Sequence, residues 1–166
     1  MERPVPVIGL AGFSNSGKTT FLEKLIAELK SRDYRIGVIK HTHHQVEFDR
    51  PGKDTWRHAR AGAEVVALAT PGGVSLVRSF ESDPGPDAVI SMISGVDLII
   101  IEGYKRGNWP KIEIYRQGIT ERPVIPEEEL LAIASDVELD TKAPYFGLDD
   151  VAGVADLIER VILTTD

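Results

Sequence analysis

Between an apolar run ending at Ala11 and an amphipathic stretch from Phe21 to Leu29, the chain reads Gly12-Phe13-Ser14-Asn15-Ser16-Gly17-Lys18-Thr19. This octapeptide fits G-x-x-x-x-G-K-[ST] without deviation, and it sits where that pattern demands, between a strand and a helix. The spacing has a physical cause. Glycine at 12 and 17 permits backbone conformations a side chain would obstruct, so successive N–H groups turn inward around phosphate oxygens at the positive end of the next helix. In that frame Ser14, Asn15 and Ser16 line the loop, Lys18 reaches the outer phosphates, and the Thr19 hydroxyl ligates Mg²⁺. Thr20 adds a further phosphate contact. The competing account is a glycine-rich turn capped by threonine.

Around this loop the periodicity predicts an alternating α/β chain. Val5 to Ala11 reads as a buried strand, Phe21, Leu22, Leu25, Ile26 and Leu29 as one helix face, and Arg35 to Lys40 as a second strand, a parallel strand-helix-strand opening. His41 to Asp54 is polar, carries Pro51-Gly52, and predicts a loop. Trp56 to Ala61 predicts a short helix, and Glu64–Ala69 with Val74–Phe80 across Gly72-Gly73 an antiparallel hairpin. A helix follows at Asp87 to Ile93, and Asp97 to Ile101 forms the most hydrophobic strand, stopping at Glu102-Gly103. Lys111 to Arg116 alternates polar and apolar residues, the pattern of a half-exposed or edge strand. Leu130 to Ala134 predicts a buried strand, and Val151, Val154, Leu157, Ile158, Val161 and Ile162 the inner face of a closing helix. The expected class is a P-loop NTPase-like three-layer α/β/α fold, its sheet largely parallel, with an added antiparallel hairpin. With 166 residues and no repeat or composition break, a single domain over 1–166 is expected.

Composition removes several classes. The absence of cysteine excludes disulfide scaffolds, thiolate metal sites and cysteine catalysis. Nineteen Lys and Arg against 26 Asp and Glu give a net charge of −7, which argues against coating nucleic acid. A mean hydropathy of −0.09, with no apolar run near the roughly 20 residues of a membrane span, predicts no membrane partner. The opening Met-Glu-Arg-Pro-Val-Pro lacks a basic, then apolar, leader, so a cytoplasmic location is expected.

Other residues carry chemistry through their placement. Glu102 ends an apolar strand, where open α/β sheets put ligand-binding groups, and there a carboxylate orients Mg²⁺ directly or through water. Asp97, at the opposite end of that strand, reads as a cap or turn residue. His41, His43 and His44 cluster after the second strand. Zinc is one reading; another is a loop meeting phosphates or a second substrate, with Asp49 or Asp54 near the metal and Lys40, His41 or Lys53 facing anions. A solvated polar loop is the third. Asp136 follows the Leu130–Ala134 strand, where its carboxylate would accept from N1–H and the 2-amino group of guanine, which adenine would leave unpaired. A helix cap is the alternative. Trp56, Arg57, His58 and Arg60 suggest either a recognition stretch or simple packing, and Lys105, Arg106 and Lys111 either a basic rim or a solvated loop.

Taken together, GFSNSGKTTFLEKLI at 12–26, VIKHTHH at 38–44, DRPGKDTWRHARAGA at 49–63, DLIIIEGYK at 97–105, PKIEIYR at 110–116 and AIASD at 132–136 resemble the molybdopterin-guanine dinucleotide biosynthesis adapter family, MobB. The resemblance implies a GTP- and Mg²⁺-binding accessory protein with weak hydrolysis. It would help attach GMP to molybdopterin alongside the nucleotidyltransferase MobA, and would form a homodimer. It gives Gly12, Gly17, Lys18 and Thr19 the phosphate cradle and Glu102 the Walker B role. Asp49 joins the proposed metal set, and Asp136 occupies the family's Ser-Asp position without an Asn-Lys pair before it. Whether molybdopterin itself binds is left open, and the Glu64–Phe80 hairpin is the candidate dimer interface. Two other classes use the same loop: a small-molecule kinase with His41, Asp49 or Asp54 as base, and a metal-delivery GTPase.

Overall fold

A computed structural model describes residues 4–104 and 106–164, in two compact units. One unit runs up to His41 and resumes at Ala88; the other is Thr42–Asp87.

The first unit is built on six strands, β1 (Val7–Ala11), β2 (Ile36–Lys40), β5 (Leu98–Glu102), β6 (Lys111–Tyr115), β7 (Leu130–Ser135) and β8 (Tyr145–Gly147). They lie in the order β2-β5-β1-β6-β7-β8, and every pairing is parallel. Parallel strands need covering on both faces, which is why β5 reads as an unbroken apolar run and is buried along its whole length. On one face, Ile8, Leu10, Ile100 and Ile112 pack against α1 (Lys18–Ser31) and α4 (Val151–Ile158). The periodicity of α1 delivers Phe21, Leu22, Leu25 and Leu29 to that core, each completely or nearly buried. On the other face, Ile39, Ile99 and Ile101 meet Val89, Ile90, Ile93 and Val96, which belong to α3 (Gly85–Ile90) and the turn after it. The fold is therefore three-layered, as expected.

The expectation for β6 needs correction. It is an interior strand between β1 and β7, not an edge, and all five residues are buried. The polar residues at alternate positions are used internally. Lys111 Nζ donates to the carbonyls of Gly107 (2.8 Å) and Trp109 (3.3 Å) and to the Glu129 carboxylate (2.5 Å). Glu113 accepts the N–H groups of Val124 (2.7 Å) and Ile125 (2.9 Å), pinning the following loop. Burial pushes the Glu113 carboxyl up, and those two N–H bonds partly offset the shift. Lys111 Nζ is thus committed to these acceptors, although Lys111 and Arg106 both line a cleft of about 450 Å³; Lys105, named with them, lies outside the described residues. Strand β8 was not expected, being only three residues long. The closing helix ends at Ile158, and Val161 and Ile162 continue in a wider π-turn at Glu159–Leu163.

The second unit holds α2 (Asp54–Arg60) and an antiparallel hairpin of β3 (Val65–Thr70) and β4 (Gly73–Arg78), as the sequence predicts. No side chain between Thr42 and Asp87 is fully buried, and Phe48, Leu68, Val74 and Leu76 are more than half exposed.

Candidate functional site

β1 delivers the chain to Gly12 and α1 takes it away from Lys18, so the loop between them stands at the carboxyl edge of the sheet. Gly12 has φ +140°, and a Cβ there would meet the Ile114 carbonyl at 2.4 Å and Ser16 Oγ at 2.9 Å. Asn15 and Gly17 also take positive φ, 65° and 96°. Left-handed backbone is cheap for glycine and tolerated by asparagine, and here it turns the main chain inward. Ser16 N–H closes the loop by donating to Phe13 O at 3.2 Å.

Three observations fit this cradle to a polyphosphate. Helix α1 begins after Gly17 with no side-chain cap and no acidic residue in its first turn, so its positive end is left to a ligand. Ser16 Oγ, in a residue 1% exposed, has no hydrogen-bond partner among the described residues. Lys18 Nζ folds back onto the carbonyls of Gly12 (3.0 Å) and Phe13 (2.6 Å), holding the cation over the loop. Ser14, Asn15, Thr19 and Thr20 are exposed at the mouth.

Glu102 stands beside it by register: Leu10 pairs with Glu102 across β1 and β5, and Lys40 pairs with Glu102 across β2 and β5. The Glu102 carboxylate is nearly buried and accepts from Lys40 Nζ, whose own side chain is largely exposed. His41 N–H donates to Glu102 O at 2.8 Å, and the His41 ring stacks on Tyr104 with centroids 3.8 Å apart. Gly103, at φ +113°, admits this approach, since a Cβ would come within 2.7 Å of His41 O. Thr19 and Glu102 are of the donor type a hard divalent cation takes. Asp49 belongs to the other unit, where its carboxylate accepts from Thr55 Oγ1 and from Arg50 N–H at 2.7 Å. Among the described residues no three His, Cys, Asp or Glu side chains are grouped to hold a metal, so the histidine cluster forms no such site.

From the start of α1 a cleft of about 760 Å³ runs to the ends of β7 and β8, lined by Gly17, Thr20, Lys24, Arg116, Asp136 and Tyr145 among others. Asp136 is in that lining, accepting from Gln117 N–H at 2.9 Å with Arg116 Nη1 at 3.9 Å. Arg116 was not singled out from sequence, yet its Nε donates at 3.4 Å to Ser16 O and its guanidinium lies beside Gly17. Its signal was position: it is the first residue past a strand next to β1. Lys24 and Asp149, both in the cleft lining, pair at 2.7 Å, and Lys24 holds that carboxyl below its ordinary value. Asp97 lies at the far end of β5, bound to Arg35, in keeping with a turn residue.

A family model described as "Molybdopterin guanine dinucleotide synthesis protein B" matches residues 7–136, which take in the cradle, Glu102 and Asp136. The chain belongs to the MobB family. It is 35% identical over 162 residues to the molybdopterin-guanine dinucleotide biosynthesis adapter protein of Haemophilus influenzae, covering 96% of this chain and 91% of that one. To the adapter protein of the same name in Escherichia coli it is 36% identical over 160 residues, covering 93% and 91%. Among solved structures, Bacillus subtilis MobB superposes with a TM-score of 0.73 at 26% identity, covering 97% of this chain and 99% of that one. A second, titled molybdopterin-guanine biosynthesis protein B, gives 0.70 at 24%, a likeness of fold. Among the described residues no helix is long and apolar enough to cross a membrane.

Proposed function

We propose that this MobB-family chain binds GTP with Mg²⁺ and acts as the accessory that helps attach GMP to molybdopterin, in partnership with the nucleotidyltransferase MobA. One observation carries the nucleotide reading: an uncapped helix start and a main chain turned inward by left-handed residues meet in one loop. The triphosphate lies in that loop, with Lys18 on its outer oxygens and Arg116 beside the inner ones. Mg²⁺ supplies charge neutralisation when bound; Thr19 would hold it and Glu102 would orient its water. Guanine takes the cleft toward Asp136, whose carboxylate keeps lone pairs beyond the one used by Gln117.

The mechanism is positioning. Lys18 leaves the Gly12 and Phe13 carbonyls for the phosphates, and main-chain amides fix the chain of phosphoryl groups without reorganising. Hydrolysis by the chain alone is slow, since positioning and charge neutralisation by Lys18 are its contributions to the reaction. The homodimer forms on the hairpin face that carries Val65, Ala67, Ala69, Val74 and Leu76, an apolar strip on the strands' solvent side. Calorimetry tests the core of this reading. Wild type should bind GTP with Mg²⁺ at least tenfold more tightly than ATP, and Lys18→Ala should lose measurable binding while keeping its circular dichroism. Unchanged GTP affinity in Lys18→Ala refutes the site.

A further inference from the structure

The Thr42–Asp87 unit contains a cleft of its own, about 270 Å³, between α2 and one face of the hairpin. Its walls are apolar and face each other as helix against sheet: Trp56 and Ala59 on one side, Val66, Leu68 and Val77 on the other. Such a slot suits a flat ligand. Its size lies just under the roughly 300–1,000 Å³ of ordinary small-molecule sites, room for a bicyclic ring and not for a whole nucleotide.

Beside the hydroxyls of Thr55, Ser75 and Ser79, the lining carries charged groups of two kinds. One is carboxylate, Glu47 and Asp49; Asp49 is held in place by Thr55 Oγ1 and Arg50 N–H, one bond to each carboxylate oxygen, which leaves lone pairs on both oxygens for two adjacent N–H donors. The other is cationic: the Arg60 guanidinium lies 5.3 Å from the Trp56 ring centre, at the same cleft. Phe48, 81% exposed, adds a second aromatic to the lining. A planar heterocycle with paired N–H donors at one end and an anionic tail at the other answers all of these features.

We propose that this cleft binds the pterin ring, its 2-amino-4-oxo edge on Asp49, its face on the Trp56 and Phe48 side chains, and its phosphate-bearing tail toward Arg60. The inference rests on the reading that the chain serves molybdopterin chemistry, and it gives the pterin a seat separate from the nucleotide cleft. Guanine shares the same hydrogen-bonding edge, so the test must tell the two apart. The seat also supplies what the unit lacks. With no fully buried side chain of its own, Thr42–Asp87 gains an apolar centre when the ring enters.

The test uses the full chain carrying Trp109→Phe, which leaves Trp56 as the one indole of the two in the sequence. Neopterin monophosphate should quench its fluorescence saturably, and hydrogen exchange over Thr42–Asp87 should slow. Lumazine, with oxygen replacing the 2-amino group, should bind at least tenfold more weakly. Asp49→Asn should lose at least tenfold, and Ser75→Leu, which fills the slot from the hairpin face without touching the carboxylate, should lose binding too. Saturating GTP should leave the quench unchanged, and Lys18→Ala should bind neopterin monophosphate as wild type does. No saturable quench, equal binding of lumazine, or displacement by GTP at one equivalent overturns the proposal. Because GTP binding is measured separately, loss of the pterin signal with GTP affinity intact defeats this seat alone, whereas loss of GTP affinity defeats the nucleotide reading.

Discussion

At the scale of single residues, the phosphate cradle was legible in advance because backbone geometry dictates it. Only glycine fits at 12, where a Cβ would strike the Ile114 carbonyl, and the sequence announces that directly. Arg116 and Lys40 were harder to read, since their roles come from which strand ends lie side by side. Lys40 donates to Glu102, so a nearly buried carboxylate is shared between this amine and, in the reading proposed above, the metal's water. Replacing Lys40 by Met should lower stability by about 1–3 kcal/mol, the usual cost of leaving a buried acceptor without its donor. It should also let added Mg²⁺ restore part of the loss. Urea unfolding with and without MgCl₂ reads both effects, and an unchanged midpoint in either condition breaks this account of the pair.

Elements were legible where one period dominates and obscure where two demands overlap. Strand β5 and helix α1 came through clearly, because continuous burial and a single amphipathic face leave little ambiguity. β6 did not, since Lys111 and Glu113 look solvent-facing until the loops they tie down are known. β8 is too short for any period. The start of β5 is fastened by a different device. Asp97 accepts from Arg35 N–H at 2.8 Å and from its guanidinium at 2.6 and 3.0 Å, and Arg35 holds the Asp97 carboxyl down at about 2. A carboxyl depressed in the folded state contributes stability above its unfolded value near 3.8, and that contribution is lost as pH falls toward about 2. Since Arg35 is mostly exposed, solvent screening limits the contribution to about 1 kcal/mol. Asp97→Asn should therefore lower the thermal midpoint at pH 7, and the gap from wild type should close between pH 4 and 2. A gap that stays constant over that range would remove the ion pair from the account.

Across the whole molecule, the two compact units differ in what keeps them folded: one has a continuous core on both sheet faces, the other has none of its side chains fully buried. Sequence patterning found the second unit's helix and an exposed hairpin, and Val65, Val74 and Leu76 do face outward; what strand patterning does not carry is that the inner face, too, leaves no side chain fully buried. If they meet a second copy, Leu76→Asp should convert dimer to monomer in sedimentation at micromolar concentration, with GTP affinity retained. A wild type that sediments as a monomer would end the dimer reading. The strand order has a consequence in time. β1 lies between β5 and β6, so Leu10 finds its neighbours only at Glu102 and Ile112. At roughly 5–20 residues per second of synthesis, the first strand waits about 5–20 seconds on the ribosome before either partner exists. Of the strands in this sheet β1 has the longest wait for a neighbour, and nascent-chain chaperones have that long to reach it.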